Sequence, residues 1–259
     1  MFSSGAGSAV AAKRVAERYG AANLTLLFAD VNGEDLDNYR FLAEAAEWVG
    51  GQLVRLSNDG RTIWDVFRDE RFLGNTRADP CSKYLKRKPM RDWLEDNCDP
   101  QSTIAYLGFD WTEEHRHARS IDHWAPWPME SPLMWEPMLD KAQALDVLRD
   151  VGIEPPLLTR LGFPHANCGG ACVKAGVGQF RRLLELKPDT YAEWERHEEE
   201  VRVFLRKDVA ILRDRRGGVT RPLTLTALRE RLGVDPHCYA DEPLGGCGCM
   251  TPPSEDEAS

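Results

Sequence analysis

Hydrophobic residues in the first half of the chain follow two alternating spacings. Apolar side chains recur at helical spacing over residues 8–19, 36–49 and 90–95, whereas residues 23–29, 52–56 and 103–109 are short apolar runs of strand type. Helices that alternate with strands indicate a mostly parallel sheet with helices on both faces. The expected fold class is therefore α/β, with a core over residues 1–120.

The second half of the chain predicts a helical, cysteine-bearing part over residues 121–250. Residues 122–138 are rich in Trp and Pro and predict an ordered loop that crosses the domain. Its tryptophans are expected to pack on the sheet, with base stacking as the alternative. Further helices are predicted over 137–151, 179–186 and 191–206, then a hairpin over 209–225 that turns at Gly217-Gly218. We expect one domain over 1–250 and a disordered acidic tail over 251–259.

Composition and charge restrict the expected ligands, location and cysteine chemistry of the protein. The 259 residues carry a net charge of −9, which argues against bulk affinity for nucleic acid. The sequence lacks an apolar run of membrane-spanning length and a signal-peptide pattern, so a cytoplasmic location is expected. In a reducing compartment, the seven cysteines indicate metal or redox chemistry rather than disulfides.

Five of the cysteines occur in three short motifs. Cys81 precedes a basic run that contains Lys86 and Lys88, Cys168 and Cys172 form C-G-G-A-C, and Cys247 and Cys249 form G-G-C-G-C. Glycines or basic residues beside each sulfur predict one site that is assembled from distant segments. Thiolates suit an iron–sulfur cluster and zinc about equally, and buried inert thiols are the third alternative. Cys98 and Cys238 lack such a context.

A small-residue loop at the N-terminus is a candidate anion site. Ser3, Ser4, Gly5, Gly7 and Ser8 precede the first helix, whose N-terminus favours negative charge. The alternative is a plain helix cap at Ser8. Phosphate loops normally follow a buried strand, and only two residues precede this one, so the first strand is either extremely short or trimmed.

Basic residues after the third predicted strand are further candidates. Arg116 and Arg119, in E-E-H-R-H-A-R, are suited to bidentate binding of sulfate or phosphate. The alternative interpretation is that these arginines belong to a solvated, charged helix. His165, three residues before Cys168, is a candidate for a group that hydrogen-bonds to a metal ligand, or for an alternative ligand.

Taken together, these motifs resemble the phosphoadenosine phosphosulfate reductase family of the adenine nucleotide alpha hydrolase (PP-loop) superfamily, in its phage and bacterial form. The resemblance runs over roughly residues 2–250. Its motifs are the loop S-S-G-A-G-S, F-A-D-V-N-G-E-D, N-Y-R-F-L, G-N-T-R-A-D-P-C-S-K-Y-L-K, F-P-H-A-N-C-G-G-A-C-V-K-A-G and the terminal G-G-C-G-C.

For the nucleotide, the resemblance implies that the N-terminal loop cradles a phosphate or sulfate. It also implies that Asp30 and Glu34 lie near the ribose or a metal, and that Lys86 and Lys88 help to bind the anion. Gly7 stands where the superfamily's loop has an aspartate. That departure argues against cleavage of ATP with magnesium at this loop and is compatible with a sulfonucleotide.

For the cysteines, the resemblance implies a [4Fe-4S] cluster, with zinc as the alternative, bound by Cys81, Cys168, Cys172 and a fourth cysteine from the G-G-C-G-C motif. Cys247 is expected to be that ligand, and the alternatives are Cys249 or both cysteines. Cys249 is then the expected nucleophile, which attacks the sulfur of a sulfonucleotide. The expected protein partner is a thioredoxin-like reductant or a sulfur donor, and nucleic acid enters only as a substrate. The alternatives are an ATP-dependent sulfurtransferase that modifies a nucleobase or DNA, and a non-catalytic nucleotide-binding module with structural zinc.

Overall fold

The computed structural model describes residues 1–57, 59–245 and 250 of the protein. The predicted tail over 251–259 lies outside the described residues. Within them, the chain is a mixed α/β protein whose strands form three pairs. Two pairs are parallel and one is antiparallel: β1 (Thr25–Asp30) with β2 (Gln52–Ser57), β3 (Ala105–Tyr106) with β4 (Met129–Glu130), and β5 (Leu212–Asp214) with β6 (Arg221–Leu223).

Helices make up most of the remaining described chain. They are α1 (Ala6–Tyr19), α2 (Leu36–Val49), α3 (Ile63–Asp69), α4 (Pro80–Ser82), α5 (Lys88–Asn97), α6 (Glu114–Trp124), α7 (Lys141–Asp150), α8 (Leu157–Arg160), α9 (Val177–Leu186), α10 (Pro188–Leu205) and α11 (Leu225–Val234). A π-helical turn, Lys83–Arg87, joins α4 to α5, and a 3-10 turn spans Asn167–Gly170.

The β1–α2–β2 unit confirms the predicted elements over residues 23–56. Asp35 caps α2 by accepting a hydrogen bond from the Asp37 N–H at 3.0 Å, and Gly50 ends the helix with a φ of 80°. The apolar face of α2 is buried in the core. β1 and β2 then pair in parallel from Thr25↔Gln52 to Asp30↔Ser57.

Residues 1 and 2 lie between the two parallel pairs. The Phe2 N–H donates to the carbonyl of Leu27 in β1 at 2.8 Å, and the Met1 amino group donates to the carbonyl of Tyr106 in β3 at 2.8 Å. These two residues take the position between β1 and β3 that a short first strand would fill. The N-terminal loop therefore begins directly at the sheet.

The third predicted strand is much shorter than its apolar run. Only Ala105–Tyr106 pairs, with Met129–Glu130, although residues 103–109 are apolar throughout. At Gly108 the chain passes so close to α1 that a Cβ there would lie 2.7 Å from the Ser8 nitrogen. The end of the run is thus used for packing against the start of α1 rather than for pairing.

The predicted C-terminal hairpin is present, but its turn is longer than predicted. β5 and β6 pair antiparallel, but six residues separate them instead of two. The reason is local, because the Asp214 carboxylate accepts from the backbone N–H of Arg216 at 3.1 Å and opens the turn. The prediction also extended the hairpin to residue 225, where α11 begins behind a Thr224 cap.

The Trp- and Pro-rich stretch contains more regular structure than the predicted loop. Its first residues belong to α6, and Met129–Glu130 forms β4. Trp124 and Trp127 are buried, which confirms aromatic packing for these two side chains. The charged run at 113–119 opens α6, and the packing of Trp124 holds the end of that helix on the core.

The buried apolar side chains of the described residues form three clusters. One surrounds α1 and α2, and another lies beneath α5, Trp124 and Trp127. The third is built mainly from α3, α9, α10 and α11, and it includes Cys81, Cys168 and Cys172. Among the described residues, the helices include none that is long and apolar enough to cross a membrane.

Candidate functional site

The N-terminal loop is folded around the hydroxyl of Ser8. Ser8 Oγ accepts from the Ser3 N–H at 3.2 Å and from the Gly5 N–H at 3.3 Å, and it donates to the Gly5 carbonyl at 2.8 Å. Ser4 is buried with a φ of 52°, and its hydroxyl donates to the Ser3 carbonyl. Ser8 is therefore not the cap of α1 but the third helical residue, and its side chain shapes the loop.

A cavity of about 520 Å³ lies against this loop, beyond the end of β3. Ser3, Gly5, Gly7 and Ser8 line the cavity, as predicted for the loop, whereas Ser4 faces the interior. First-turn N–H groups of a helix have no carbonyl partner inside it, so the start of α1 offers donors to an anion. We call this space the loop cavity.

Gly7 and Gly108 bring the backbones of the loop and of the segment after β3 into direct contact. A Cβ at Gly7 would lie 3.0 Å from the Gly108 carbonyl oxygen and 3.5 Å from Leu133. A side chain at position 7 would therefore push against backbone. Position 7, where the resemblance would place an aspartate, thus lies in a close backbone packing that the sequence did not reveal.

Three cationic side chains line the loop cavity, with two carboxylates among its walls. The cations are Lys86, Arg116 and Lys141, and the carboxylates are Asp110 and Glu113. Arg116 is paired with Glu113, and its guanidinium lies over the Phe109 ring at 4.5 Å from the centroid. Burial lowers the pKa of Lys141, whose ammonium donates to the Pro164 carbonyl. This arrangement suits a phosphate or sulfate ligand.

The three cysteines of the first two motifs meet in the interior. Cys81, Cys168 and Cys172 are all buried and line one small space of about 10 Å³, which we call the cysteine cavity. Val31, Ile63, Val173 and Trp194 form its apolar walls, and its polar walls are Asp79, Ser82 and Lys86. Segments that are about 90 residues apart in sequence are thus brought to one point, as the motifs predicted.

Local structure explains how each sulfur reaches the cysteine cavity. Cys81 is in α4, which starts at Pro80, a favoured first helical residue. Cys168 has a φ of 55° and a ψ of 39°, and the two glycines that follow also have positive φ values. Glycine adopts that backbone region without strain, so the two glycines of C-G-G-A-C form the turn. Cysteine adopts it only at a cost, and its neighbours hold Cys168 there.

Two residues of the basic run after Cys81 face the protein interior. Lys86 and Arg87 are buried in the π-helical turn, and Arg87 donates to the Ser82 hydroxyl at 3.1 Å and lies 3.6 Å from the Asp79 carboxylate. Lys88, in contrast, is exposed and paired with Asp92 at 2.6 Å. Of the two predicted anion-binding lysines, the structure brings Lys86 to the site and leaves Lys88 on the surface.

A thiolate-ligated centre fits the residues of the cysteine cavity in donor chemistry. Three buried thiols with a lysine alongside are typical of iron–sulfur and zinc sites. The cavity is close to the minimum size that holds one water molecule, and within the described part of the chain no three His, Cys, Asp or Glu side chains are close enough to hold a single metal ion. The described residues thus supply three of the four predicted ligands.

The predicted fourth ligand, Cys247, and the predicted nucleophile, Cys249, lie outside the described residues. The described residues on either side of them are both close to the site. Gly245 forms a bridge with Ala175, three residues after Cys172, and Met250 lines the loop cavity. The Met250 carbonyl also accepts from the Trp124 indole at 3.3 Å.

Asp30 and Glu34 have different surroundings from those expected near a ribose. Asp30 accepts from Tyr39 at 2.9 Å and is paired with Arg55. Burial and the hydrogen bond to Asp30 raise the pKa of Tyr39 to about 12, and the nearby Arg55 opposes that rise. Asp30 does not line the loop cavity. Glu34 lies deeper, between the turn of Cys168 and Lys86.

The remaining candidates differ in whether they line the loop cavity. Arg116 lines the loop cavity, and Arg119 is half-buried away from it. His165 lines the loop cavity, close in sequence to Cys168. Cys98 and Cys238 lie outside the cysteine cavity, as expected for bystanders.

Sequence reasoning missed two charged residues of the loop cavity. Lys141 begins α7 behind an Asp140 cap and carries no motif that marks it as functional. Asp110 directly follows the third apolar run, so its position at a strand end was a usable signal. Its carboxylate accepts from the Thr112 N–H at 2.9 Å and shapes the entry to α6.

No protein-family model matches this chain, and no curated protein matches it either. The family resemblance therefore stays a prediction that is carried by the sequence motifs. The two adjoining cavities and their lining residues are the basis for assigning a function.

Proposed function

We propose that the protein binds an adenine sulfonucleotide in the loop cavity and performs sulfur chemistry on it beside a cysteine-ligated metal centre. The proposal includes the finer fold, a mostly parallel sheet with helices on both faces and a helical, cysteine-bearing C-terminal extension. It also includes Cys81, Cys168, Cys172 and Cys247 as ligands, preferably of a [4Fe-4S] cluster, and Cys249 as the nucleophile.

The observation that carries the proposal is that Lys86 lines both cavities. Its buried side chain forms part of the wall of the loop cavity and part of the wall of the cysteine cavity. An anion in the loop cavity and a centre bound by Cys81, Cys168 and Cys172 would therefore share one cation. A metal centre bound there would supply Lewis-acid or electron-transfer chemistry next to the nucleotide.

In the favoured reaction, the Cys249 thiolate attacks the sulfur of the sulfonucleotide. The bond between that sulfur and the phosphate oxygen breaks, the nucleotide leaves with the electron pair, and the cysteine carries an S-sulfonate. A dithiol reductant of the thioredoxin type then attacks the cysteine sulfur, which releases sulfite. Its second thiol resolves the mixed disulfide, so Cys249 is restored and the reductant becomes a disulfide. Lys86, Arg116 and Lys141 are suited to stabilise the leaving phosphate.

An ATP-dependent sulfurtransferase acting on a nucleobase or DNA is the second candidate. The departures from the reductase cysteine pattern favour it. The contact between Gly7 and Gly108 weighs against it, because it leaves little room for the magnesium-binding aspartate of ATP-cleaving relatives. A nucleotide-binding module with structural zinc is the non-enzymatic candidate.

Anaerobic purification of the full chain tests these candidates. Iron, acid-labile sulfide and zinc are measured per chain, and the protein is then given adenylylsulfate or phosphoadenosine phosphosulfate with a dithiol reductant. Iron with sulfite release supports the proposal, whereas pyrophosphate release from ATP favours the second candidate. Zinc, or no metal, without sulfite release overturns the proposal.

Cysteine variants assign the ligands in the same experiment. Cys81→Ser, Cys168→Ser and Cys172→Ser should each lose the metal, because each removes a thiolate from the cysteine cavity. Cys98→Ser and Cys238→Ser are matched controls outside that cavity and should retain it. Equal metal content in all five variants would contradict the ligand assignment.

A further inference from the structure

The carboxylate of Glu34 lies between the turn of Cys168 and Lys86, two parts of the cysteine-cavity wall. Its Oε2 accepts from the backbone N–H of Cys168 at 2.6 Å and from the Asn38 amide at 3.2 Å. Its Oε1 is 3.5 Å from the Lys86 Nζ, and the Glu34 side chain is 1% exposed. One buried carboxylate thus contacts three segments that meet around the cysteines.

The turn that carries Cys168 needs such support. Cys168 has a left-handed backbone without being glycine, a conformation that persists only when surrounding contacts fix it. A hydrogen bond from its own N–H to a charged carboxylate is among the strong contacts available. Asn38 supports the same turn from the other side, because its amide also donates to the Ala166 carbonyl at 3.0 Å.

The charge of Glu34 is balanced where it meets the thiols. A buried carboxylate alone would disfavour thiolates nearby, but the Lys86 ammonium is paired with it and lines the same cavity. Glu34 therefore contacts the Cys168 turn with a cation beside its carboxylate.

We propose that Glu34 is a positioning residue that fixes the turn of Cys168 against Lys86 and so sets the direction of the Cys168 sulfur in the cysteine cavity. The part of this inference that concerns a bound metal rests on the proposed function. The part that concerns the Cys168 turn applies to the metal-free chain as well, so an experiment can contradict either part without the other.

The test compares Glu34→Gln and Glu34→Asp with the wild type in the full chain. Glu34→Gln removes the carboxylate, and Glu34→Asp keeps the charge but withdraws it from the Cys168 N–H. Glu44→Gln is the matched control, because Glu44 is a partly exposed carboxylate on α2 that pairs with Arg40. Each metal-free protein is treated with iodoacetamide, and labelling of every cysteine is followed by mass spectrometry.

Faster labelling of Cys168 in both Glu34 variants, with the buried Cys81 and Cys172 labelled as in the wild type, is the expected result. A purely structural role would raise the labelling of all buried cysteines together, and so would not single out Cys168. Wild-type labelling of Cys168 in a folded Glu34→Asp protein overturns the inference, even if Glu34→Gln does not fold.

Metal binding provides the second measurement. Zinc ion alone is titrated into each protein against a chromophoric chelator. Both Glu34 variants should bind about 10- to 100-fold more weakly than the wild type, as is typical when a group that orients a metal ligand is removed. Unchanged affinity in both variants overturns the role toward the metal. If the wild type binds neither zinc nor iron, the metal centre of the proposed function fails, and the labelling result still decides the role of Glu34 in the turn.

Discussion

The Lys86 ammonium lies 3.5 Å from the Glu34 carboxylate, and both side chains are almost completely buried. Lys86 also lines the two cavities of the candidate site. A buried ion pair is weak support for stability in itself, because both charges lose their hydration. Its position beside both the N-terminal loop and the three thiols is the basis of the proposed function instead.

Removal of the Lys86 charge should destabilise the protein strongly. Lys86→Met removes the cation that lies 3.5 Å from the buried Glu34 carboxylate, and breaking such a buried pair costs about 3–5 kcal/mol in the free energy of unfolding. Urea unfolding measures the loss. The double variant Lys86→Met/Glu34→Gln should lose less than the sum of the single variants, because it removes both charges.

Lys88→Met is the control for that experiment. Lys88 belongs to the same basic run but is exposed and paired with Asp92 on the surface of α5. Its substitution should leave the free energy of unfolding nearly unchanged. Equal destabilisation by Lys86→Met and Lys88→Met would show that the buried Lys86–Glu34 pair contributes no more to the free energy of unfolding than the exposed Lys88–Asp92 pair.

Arg116 and Arg119 should differ in their effect on nucleotide binding. Arg116 lines the loop cavity, whereas Arg119, on the same helix, does not. Arg116→Gln should weaken the binding of adenylylsulfate by roughly 10-fold, the effect of losing one hydrogen bond to a charged group. Calorimetric titration provides the comparison, and Arg119→Gln should bind like the wild type. A larger loss in Arg119→Gln than in Arg116→Gln would argue against the loop cavity as the binding site.

Gly108 should not tolerate a side chain. A Cβ at this position would lie 2.7 Å from the Ser8 nitrogen and 2.8 Å from the Gly7 carbonyl carbon, and both are backbone atoms that cannot move aside easily. Gly108→Ala should therefore lower the free energy of unfolding by about 1–3 kcal/mol. Gly233→Ala is the control, because nothing lies within 4 Å of its Cβ position in α11. That substitution should raise the stability slightly, by roughly 0.5–1 kcal/mol, and the opposite ranking would refute the packing argument.

Glu198 should make stability depend on pH near neutrality. Burial in α10 raises its pKa to about 7, although the Ile211 and Leu225 N–H groups donate to its carboxylate and oppose that rise. Because the folded-state pKa lies above the unfolded value of 4.5, the folded protein binds more protons between these two values. The stabilisation is complete below about pH 4.5 and is lost as the pH rises through about 7.

Unfolding at pH 5 and at pH 7.5 checks this prediction. The wild type should lose on the order of 3 kcal/mol across the interval from this group, since one pKa unit corresponds to about 1.4 kcal/mol. Glu198→Gln cannot titrate and should lose that part of the pH dependence, whereas the exposed neighbour variant Glu199→Gln should keep it. The same pH dependence in Glu198→Gln as in the wild type would mean that Glu198 is charged in the folded protein over this interval.

The elements with a regular pattern and clear end signals could be predicted from the sequence. Helix α2 spans the predicted residues 36–49, because its caps, Asp35 and Gly50, act within one turn of the chain. The third strand was overestimated, since the approach of Gly108 to α1 is a contact between segments that are about 100 residues apart. The turn of the hairpin was missed because a single side chain, Asp214, changes its hydrogen bonding.

By itself, the sequence determined which residue types are available for chemistry: the glycine- and serine-rich loop, the basic run, and the cysteines with their neighbouring glycines. Only the tertiary structure decided which of them act together. It brought Cys81 to Cys168 and Cys172, selected Lys86 over Lys88 and Arg116 over Arg119, and gave Glu34 a place beside the Cys168 turn. The physical reason is that motifs and caps are local, whereas burial and charge pairing depend on how distant segments pack.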